Sequence, residues 1–312
     1  MDIFLKSISG ILVILGMILV GFVIGEKGWF DDKSRGLLAK LVTQVALPCY
    51  MLYTITQRFT AADLFKMLPA LRFPALSMVI LLGIATGVAR IFAVRQDRRG
   101  LFISMFFNSN TIFVGLLINQ ALFGDASIPY VLIYYMCNTT FFWTLGTYLI
   151  QRDGEGEAQF DLKTSLKKVF SPPLMGFILG LVMVMLQIKL PAFLASDLQY
   201  LGNLTTPLSM IFIGLSVSHV GVKQLVLGKD QLLILFGHFL VAPLLMATIV
   251  YWAPLPSLMK QVFIIQSAMP VMTNAPVVAR LYGADSDYAA VMVTETTLAT
   301  MVVIPILMLL MA

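Results

Sequence analysis

The chain has 312 residues, 59% of them hydrophobic and only 12% charged, about half the ~25% charge of an average soluble domain. With a mean hydropathy of +0.91, so few charges leave most of the outer surface facing an apolar medium, which excludes an ordinary soluble protein. The net charge of +5 gives no support for nucleic acid once its placement is considered, and Cys49 and Cys137, both inside apolar runs, offer no disulfide framework.

Apolar runs predict spans over 8–25, 36–56, 71–94, 101–123, 128–150, 172–188, 198–217, 232–252, 259–282 and 288–311. At about 20 residues per crossing helix, these spans use most of the chain and leave short loops. The first is longer than a signal-peptide core and no small-residue cleavage site follows it, so Glu26-Lys27-Gly28-Trp29 is read as a retained interfacial anchor. Of the 21 Lys and Arg residues, only Lys6, Arg58, Lys66, Arg72, Lys189 and Lys260 fall on the side of the termini and even-numbered loops. The rest border the odd-numbered loops, which the positive-inside bias places in the cytoplasm. Both termini are therefore expected on the extracytoplasmic side of a multi-pass cell-membrane protein. The longest loop, 151–171, mixes Asp153, Glu155, Glu157 and Asp161 with lysines and is read as a solvated cytoplasmic linker between halves 1–150 and 172–312.

The halves share a repeat at a constant spacing of 159 residues. Gln44-x-x-x-Pro48 matches Asn203-x-x-x-Pro207, Leu122-Phe123-Gly124 matches Leu281-Tyr282-Gly283, Ser127 matches Ser286, and Gly21 falls on Gly180. Five spans per half is an odd number, so the second half enters the membrane from the opposite face. The expected fold is all-α integral membrane: ten transmembrane helices as two inverted five-helix repeats, an architecture recurrent among secondary transporters.

The fourth span carries four consecutive polar residues, Asn108-Ser109-Asn110-Thr111, before Gly115. The ninth carries Pro270, Thr273, Asn274 and Pro276. Each proline removes a backbone donor and crowds the preceding turn, and irregular backbone at membrane depth persists only where protein or a wet cavity surrounds it. Broken segments at corresponding places in two halves point to a transport site, and Pro270, Pro276 and Gly115 mark the expected helix breaks. A half-helix beginning there presents free N–H groups and partial positive charge, suited to a carboxylate. Asn110 and Asn274 can each add an amide donor, and Asn108, Ser109, Thr111 and Thr273 further polar contacts. Polar groups of this kind also serve simply to join helices; their pairing across the halves favours binding.

Glu295 is the sole acidic residue well inside a span, which makes it a candidate for a coupling ion, with a paired packing carboxyl as the alternative. Asn138, with Gln44 and Asn203, is read as lining a central cavity or capping a kink. His238 is read as a packing histidine. No metal-binding helix motif, nucleophile elbow or assembled catalytic set is present, so no catalytic residue, metal or organic cofactor is expected.

Asn110-Thr111 followed by Gly115-Leu116, then Ala268-Met269-Pro270 with Asn274, Ala279 and Tyr282-Gly283, together with Leu47-Pro48 and Pro207-Leu208, resemble the auxin efflux carrier family over essentially the whole chain. The likeness is greater to its bacterial members, described as malate or malonate permeases, than to the plant PIN-formed carriers. The resemblance implies broken fourth and ninth helices crossing at the membrane midplane, with Asn110 and Asn274 on the substrate carboxylate. It also implies a scaffold of the first, second, sixth and seventh helices, elevator-type alternating access, and a homodimer built through the scaffold. Ser109 stands where the plant carriers have proline.

Taken together, the residues predict a secondary transporter of a small organic anion, a mono- or dicarboxylate, with membrane lipid as its other partner. The driving ion is left open between a proton and sodium, with Glu295 its candidate site. A transporter-like sensor and an intramembrane enzyme are the alternatives.

Overall fold

The computed structural model describes residues 2–62, 67–154, 170, 172–220 and 228–311; of the expected linker, residues 155–169 and 171 lie outside the described residues. Among the described residues the regular structure is helical, and the one extended pairing is an isolated antiparallel bridge between Ser109 and Val271. In chain order the α-helices are α1 (Asp2–Glu26), α2 (Asp32–Leu41), α3 (Leu47–Arg58), α4 (Arg72–Ile91), α5 (Arg99–Phe107), α6 (Gly115–Phe123), α7 (Ile128–Phe141) and α8 (Thr147–Gln151). There follow α9 (Pro172–Met185), α10 (Ala192–Asn203), α11 (Thr205–Val220), α12 (Lys229–Phe236), α13 (Ala242–Tyr251), α14 (Ser257–Ser267), α15 (Ala275–Tyr282) and α16 (Ser286–Met311).

Single wide turns of π-helix join α2 to α3 (Val42–Ala46), α7 to α8 (Phe142–Gly146) and α12 to α13 (Gly237–Val241). In the first and third a proline, Pro48 or Pro243, lies two residues beyond the wide turn. Its missing N–H and its ring disturb the helical ladder upstream, and the π turn absorbs the disturbance without ending the helix. Among the described residues, five continuous stretches are long and apolar enough to cross a bilayer: Lys33–Gln57, Leu68–Ile91, Ala192–His219, Lys229–Tyr251 and Ser286–Met311. Leu15–Glu26 and Pro172–Met185 are shorter apolar helices.

Helix ends follow local chemistry. Asp31 caps α2, its carboxylate accepting from the Ser34 N–H at 2.8 Å. Gly283 closes α15 in the left-handed conformation at φ 73°, letting the Ala284 N–H reach back to the Ala279 carbonyl at 2.8 Å. Pro276 stands in the first turn of α15, where its missing N–H costs nothing, so it starts the half-helix. Pro207 likewise lies in the first turn of α11, just after α10 ends.

Backbone contacts divide the chain into two compact units, each drawing on both halves. One holds α1 from Leu12 onward, α2, α3 and α9 to α11 through His219. Here α3 packs on α9 and α10, and α1 lies against α11 so tightly that a Cβ on Gly214 would be 2.1 Å from the Ile18 carbonyl oxygen. The other holds α4 to α8 and α12 to α16. Its core is deep: Gly100 to Phe107 of α5 are all buried, with Phe102, Phe106, Tyr134, Phe142 and Phe263 wholly so. Outward faces of both units are apolar, with Leu12, Val13, Leu244, Trp252 and Val302 more than half exposed, as a surface solvated by lipid tails requires.

Candidate functional site at two joined helix breaks

Helix α5 stops at Phe107 and α6 begins at Gly115; α14 stops at Ser267 and α15 begins at Ala275. All four belong to the same compact unit. The two irregular segments meet at the Ser109–Val271 bridge, where the Asn110 N–H donates to the Pro270 carbonyl at 2.7 Å. A second link comes from Gln266, whose Nε2 donates to the Thr111 carbonyl at 3.3 Å.

Buried backbone groups in such segments must be satisfied individually. Asn138, on α7, presents its amide to Ser109 as a neighbouring strand would: Oδ1 accepts the Ser109 N–H at 2.9 Å and Nδ2 donates to the Ser109 carbonyl at 2.7 Å. The Val271 N–H donates to Thr296 Oγ1 of α16 at 3.0 Å. At the end of α5, the Ser104 carbonyl takes the Asn108 Nδ2 at 3.0 Å and the Met105 carbonyl is 2.6 Å from His238 Nε2. His238 therefore satisfies a helix-terminal carbonyl, in keeping with a packing role.

Asn110 organises the turn into α6: its Oδ1 accepts the Phe113 N–H at 3.1 Å and its main-chain carbonyl accepts the Gly115 N–H at 2.9 Å. Its Nδ2 has no hydrogen-bond partner among the described residues. Asn108 Oδ1 and Gln266 Oε1 are likewise buried and without one. Gly115 gives Gln266 its place, since a Cβ there would lie 2.3 Å from Oε1.

Asn108, Ser109, Asn110 and Thr111 are 1–3% exposed, whereas Thr273 and Asn274 are half-buried. Asn274 precedes α15 and makes no side-chain cap. The fourth-span candidates are thus enclosed, and Thr273 and Asn274 are the more accessible ones. Glu295, on α16, is buried beside Thr296, the residue that holds Val271. What the sequence reading missed is Gln266 and Thr296. Gln266 is an uncharged amide in the last turn of α14, and Thr296 sits in a run of threonines beside Glu295.

Helices α6 and α15 each begin a few residues after the joined segments, and no acidic side chain stands in either break. Helix N-termini with no acidic neighbour favour negative charge.

The family model described as "Membrane transport protein" matches residues 7–308. An uncharacterized transporter of Methanocaldococcus jannaschii is 27% identical over 299 residues, covering 94% of this chain and 95% of that protein. An uncharacterized transporter of Methanothermobacter thermautotrophicus is 27% identical over 311 residues, covering 97% and 98%. The chain is similar to both across nearly its whole length.

Proposed function

We propose, from the premise that the chain belongs to the membrane transport protein family, the family of the auxin efflux carriers, that it is a secondary transporter of a small organic anion. A mono- or dicarboxylate such as malate or malonate is the substrate class. The observation that carries this reading is the Asn110 Nδ2 at the joined breaks, an uncharged donor without a partner among the described residues. A carboxylate placed there gains a charge-assisted hydrogen bond without the cost of burying a cation opposite it. Asn274 supplies the second amide from the accessible side, and Thr273, Thr111, Asn108 and Ser109 shape the wall. Asn138 acts one step back, by holding Ser109 in place.

The reading includes ten spans in two inverted repeats, the breaks at the bilayer midplane, and both termini outside. Because every site residue belongs to one compact unit, the site can travel as a body, as elevator-type alternating access requires. A homodimer is the proposed assembly, and Glu295 the proposed site of the coupling ion.

Uptake of labelled malate or malonate into proteoliposomes tests this. Wild type is expected to accumulate label, and Asn110→Ala and Asn274→Ala each to lose about 10- to 100-fold in apparent affinity, the equivalent of a ~1.5–3 kcal/mol hydrogen bond to a charged group. Wild-type rates in both variants would remove the site. Binding without flux in the wild type would make the protein a sensor.

A further inference from the structure

Glu295 is 6% exposed, and neither of its carboxyl oxygens has a hydrogen-bond partner among the described residues. The hydroxyls around it are committed elsewhere on its own helix: Thr294 donates to the Ala290 carbonyl at 3.0 Å, Thr296 to Met292 at 2.6 Å and Thr297 to Val293 at 2.6 Å. Among the described residues the helices packed most closely on α16 are α12, α14 and α15. Their charged and titratable side chains are Lys229, Asp230, Lys260, Arg280 and Tyr282, and α16 itself adds Asp287 and Tyr288. Lys229 donates to the Phe92 carbonyl, Lys260 to the Tyr251 carbonyl, Asp230 is paired with Arg98, and Arg280 is exposed in the last turn of α15. An ionised Glu295 would therefore have neither counter-ion nor donor among the described residues, a heavily penalised state in a buried site. As a neutral carboxyl it needs no counter-ion and meets a far smaller penalty.

Seven residues toward the N-terminus of α16, about two turns and ~10 Å along the axis, stands Tyr288. Its ring is buried under the Arg98 guanidinium, 4.6 Å from the centroid, and its hydroxyl has no partner among the described residues. Arg98 in turn bonds Asp230 at 2.5 Å. This ion pair and ring tie together the starts of α5, α12 and α16, at the end of the unit bordered by the basic odd-numbered loops.

We propose that Glu295 carries a proton moved together with the organic anion, and that Tyr288, capped by the Arg98–Asp230 pair, separates it from the cytoplasm. The proposal rests on the transport reading and names its coupling ion. The step is a simple proton transfer. Glu295 takes a proton from water on one side, travels as a neutral carboxyl while the substrate carboxylate is held near Asn110, and returns the proton to water on the other side. Symport of one proton lowers the net charge carried across the bilayer by one for each anion.

Two measurements on the full-length protein test it. In proteoliposomes, an inward proton gradient is expected to stimulate malate or malonate uptake at least about tenfold in wild type. In Glu295→Gln the ratio of uptake with and without the gradient is expected to fall to one, whatever the absolute rate, and Glu295→Asp to restore part of it. In detergent, infrared spectra of the wild type at neutral pH are expected to show a protonated-carboxyl stretch that Glu295→Gln lacks and Glu295→Asp shifts. Stimulation that persists in Glu295→Gln, or that follows a sodium gradient in place of protons, overturns the proposal. So does a wild type that moves acid but lacks the infrared band, and in that case the transport reading survives. A wild type that shows the band yet moves no acid retires the transport reading, and co-transport with it. Should Glu295→Gln fail to fold, the band shift in Glu295→Asp and the sodium arm still decide.

Discussion

Asn110 and Pro270 are joined by a backbone hydrogen bond of 2.7 Å, so the irregular segments of two helices distant in sequence hold one another open. The bond uses the main chain of Asn110 and leaves its side chain divided: Oδ1 is engaged with the Phe113 N–H, while Nδ2 is unengaged among the described residues. Asn110→Asp separates these roles. Aspartate still accepts from Phe113 and keeps the turn, but replaces the unused donor with a second oxygen. The expected outcome is a protein that still folds but melts below wild type, because a carboxylate is now buried there, with organic-acid uptake down at least about 100-fold. That is the loss of one ~1.5–3 kcal/mol charge-assisted bond compounded by like-charge repulsion. Uptake near the wild-type rate would show that the side chain only shapes the turn.

Asn138 offers a complementary case. Its amide satisfies both main-chain groups of Ser109, which is 3% exposed. Asn138→Ala orphans a buried N–H and a buried carbonyl, each worth about 1–3 kcal/mol, and is expected to lower the melting temperature as well as uptake. Asn138→Asp can still accept from the Ser109 N–H but cannot donate while ionised, so an intermediate loss is expected. A thermal-shift series of the three proteins checks the order wild type, Asp, Ala.

What was readable beforehand divides along physical lines. The polar run at 108–111 and the prolines at 270 and 276 stand out because membrane depth penalises such residues, so their presence alone signals interrupted backbone. The partners that satisfy the interruption leave no local trace. Asn138 reaches Ser109 across 29 residues, Gln266 reaches Thr111 across 155, and Thr296 receives Val271 across 25. Each is an uncharged side chain, unremarkable in composition until the chain is folded. Gly21 and Gly180 show the same limit: the repeat aligns them, but a Cβ on Gly21 would lie 2.3 Å from the Ile211 carbonyl oxygen, while one on Gly180 would meet the Ile55 side chain at 3.1 Å and the Leu52 carbonyl oxygen at 3.5 Å. Alignment revealed a matching position and not the differing contact.

Close approach of α1 and α11 yields a stability prediction. A Cβ on Gly214 would fall 2.1 Å from the Ile18 carbonyl oxygen and 2.5 Å from the Phe22 nitrogen, atoms of a helix backbone that cannot yield singly. Gly214→Leu must separate the helices, and overpacking of this kind costs about 1–3 kcal/mol or more. At roughly 2–4 °C per kcal/mol for a protein of this size class, the melting temperature should drop by several degrees. Gly83→Leu is the control: nothing lies within 4 Å of its Cβ position on α4, and its melting temperature should stay close to wild type. Equal losses in the two variants would show that bulk alone, and not backbone contact, sets the cost.

Asp153 supplies a pH dependence outside the expected spans. Its carboxylate accepts the Leu101 N–H at 2.6 Å, covering the start of α5, while the neighbouring Gly154 is so close to the end of α15 that a Cβ on it would lie 1.8 Å from the Tyr282 carbonyl oxygen. Burial pushes the Asp153 carboxyl above the usual carboxylate range, with the Leu101 and Gly100 amides and Arg152 opposing in part. A carboxyl whose pKa is higher folded than unfolded binds more protons in the native state. Stability must then fall as pH rises between the two values. Its contribution is fully present below the unfolded pKa of about 3.9 and is lost as pH passes through the raised native value. In the Asp153→Asn variant the side chain does not titrate but keeps an oxygen able to accept from Leu101. The melting temperature of wild type minus that of Asp153→Asn should therefore be highest in acid, decline as pH rises above about 4, and level off once the native carboxyl has ionised. A difference that instead grows with pH would mean that the helix-capping bonds outweigh burial at this position, and the sign of the shift would be reversed.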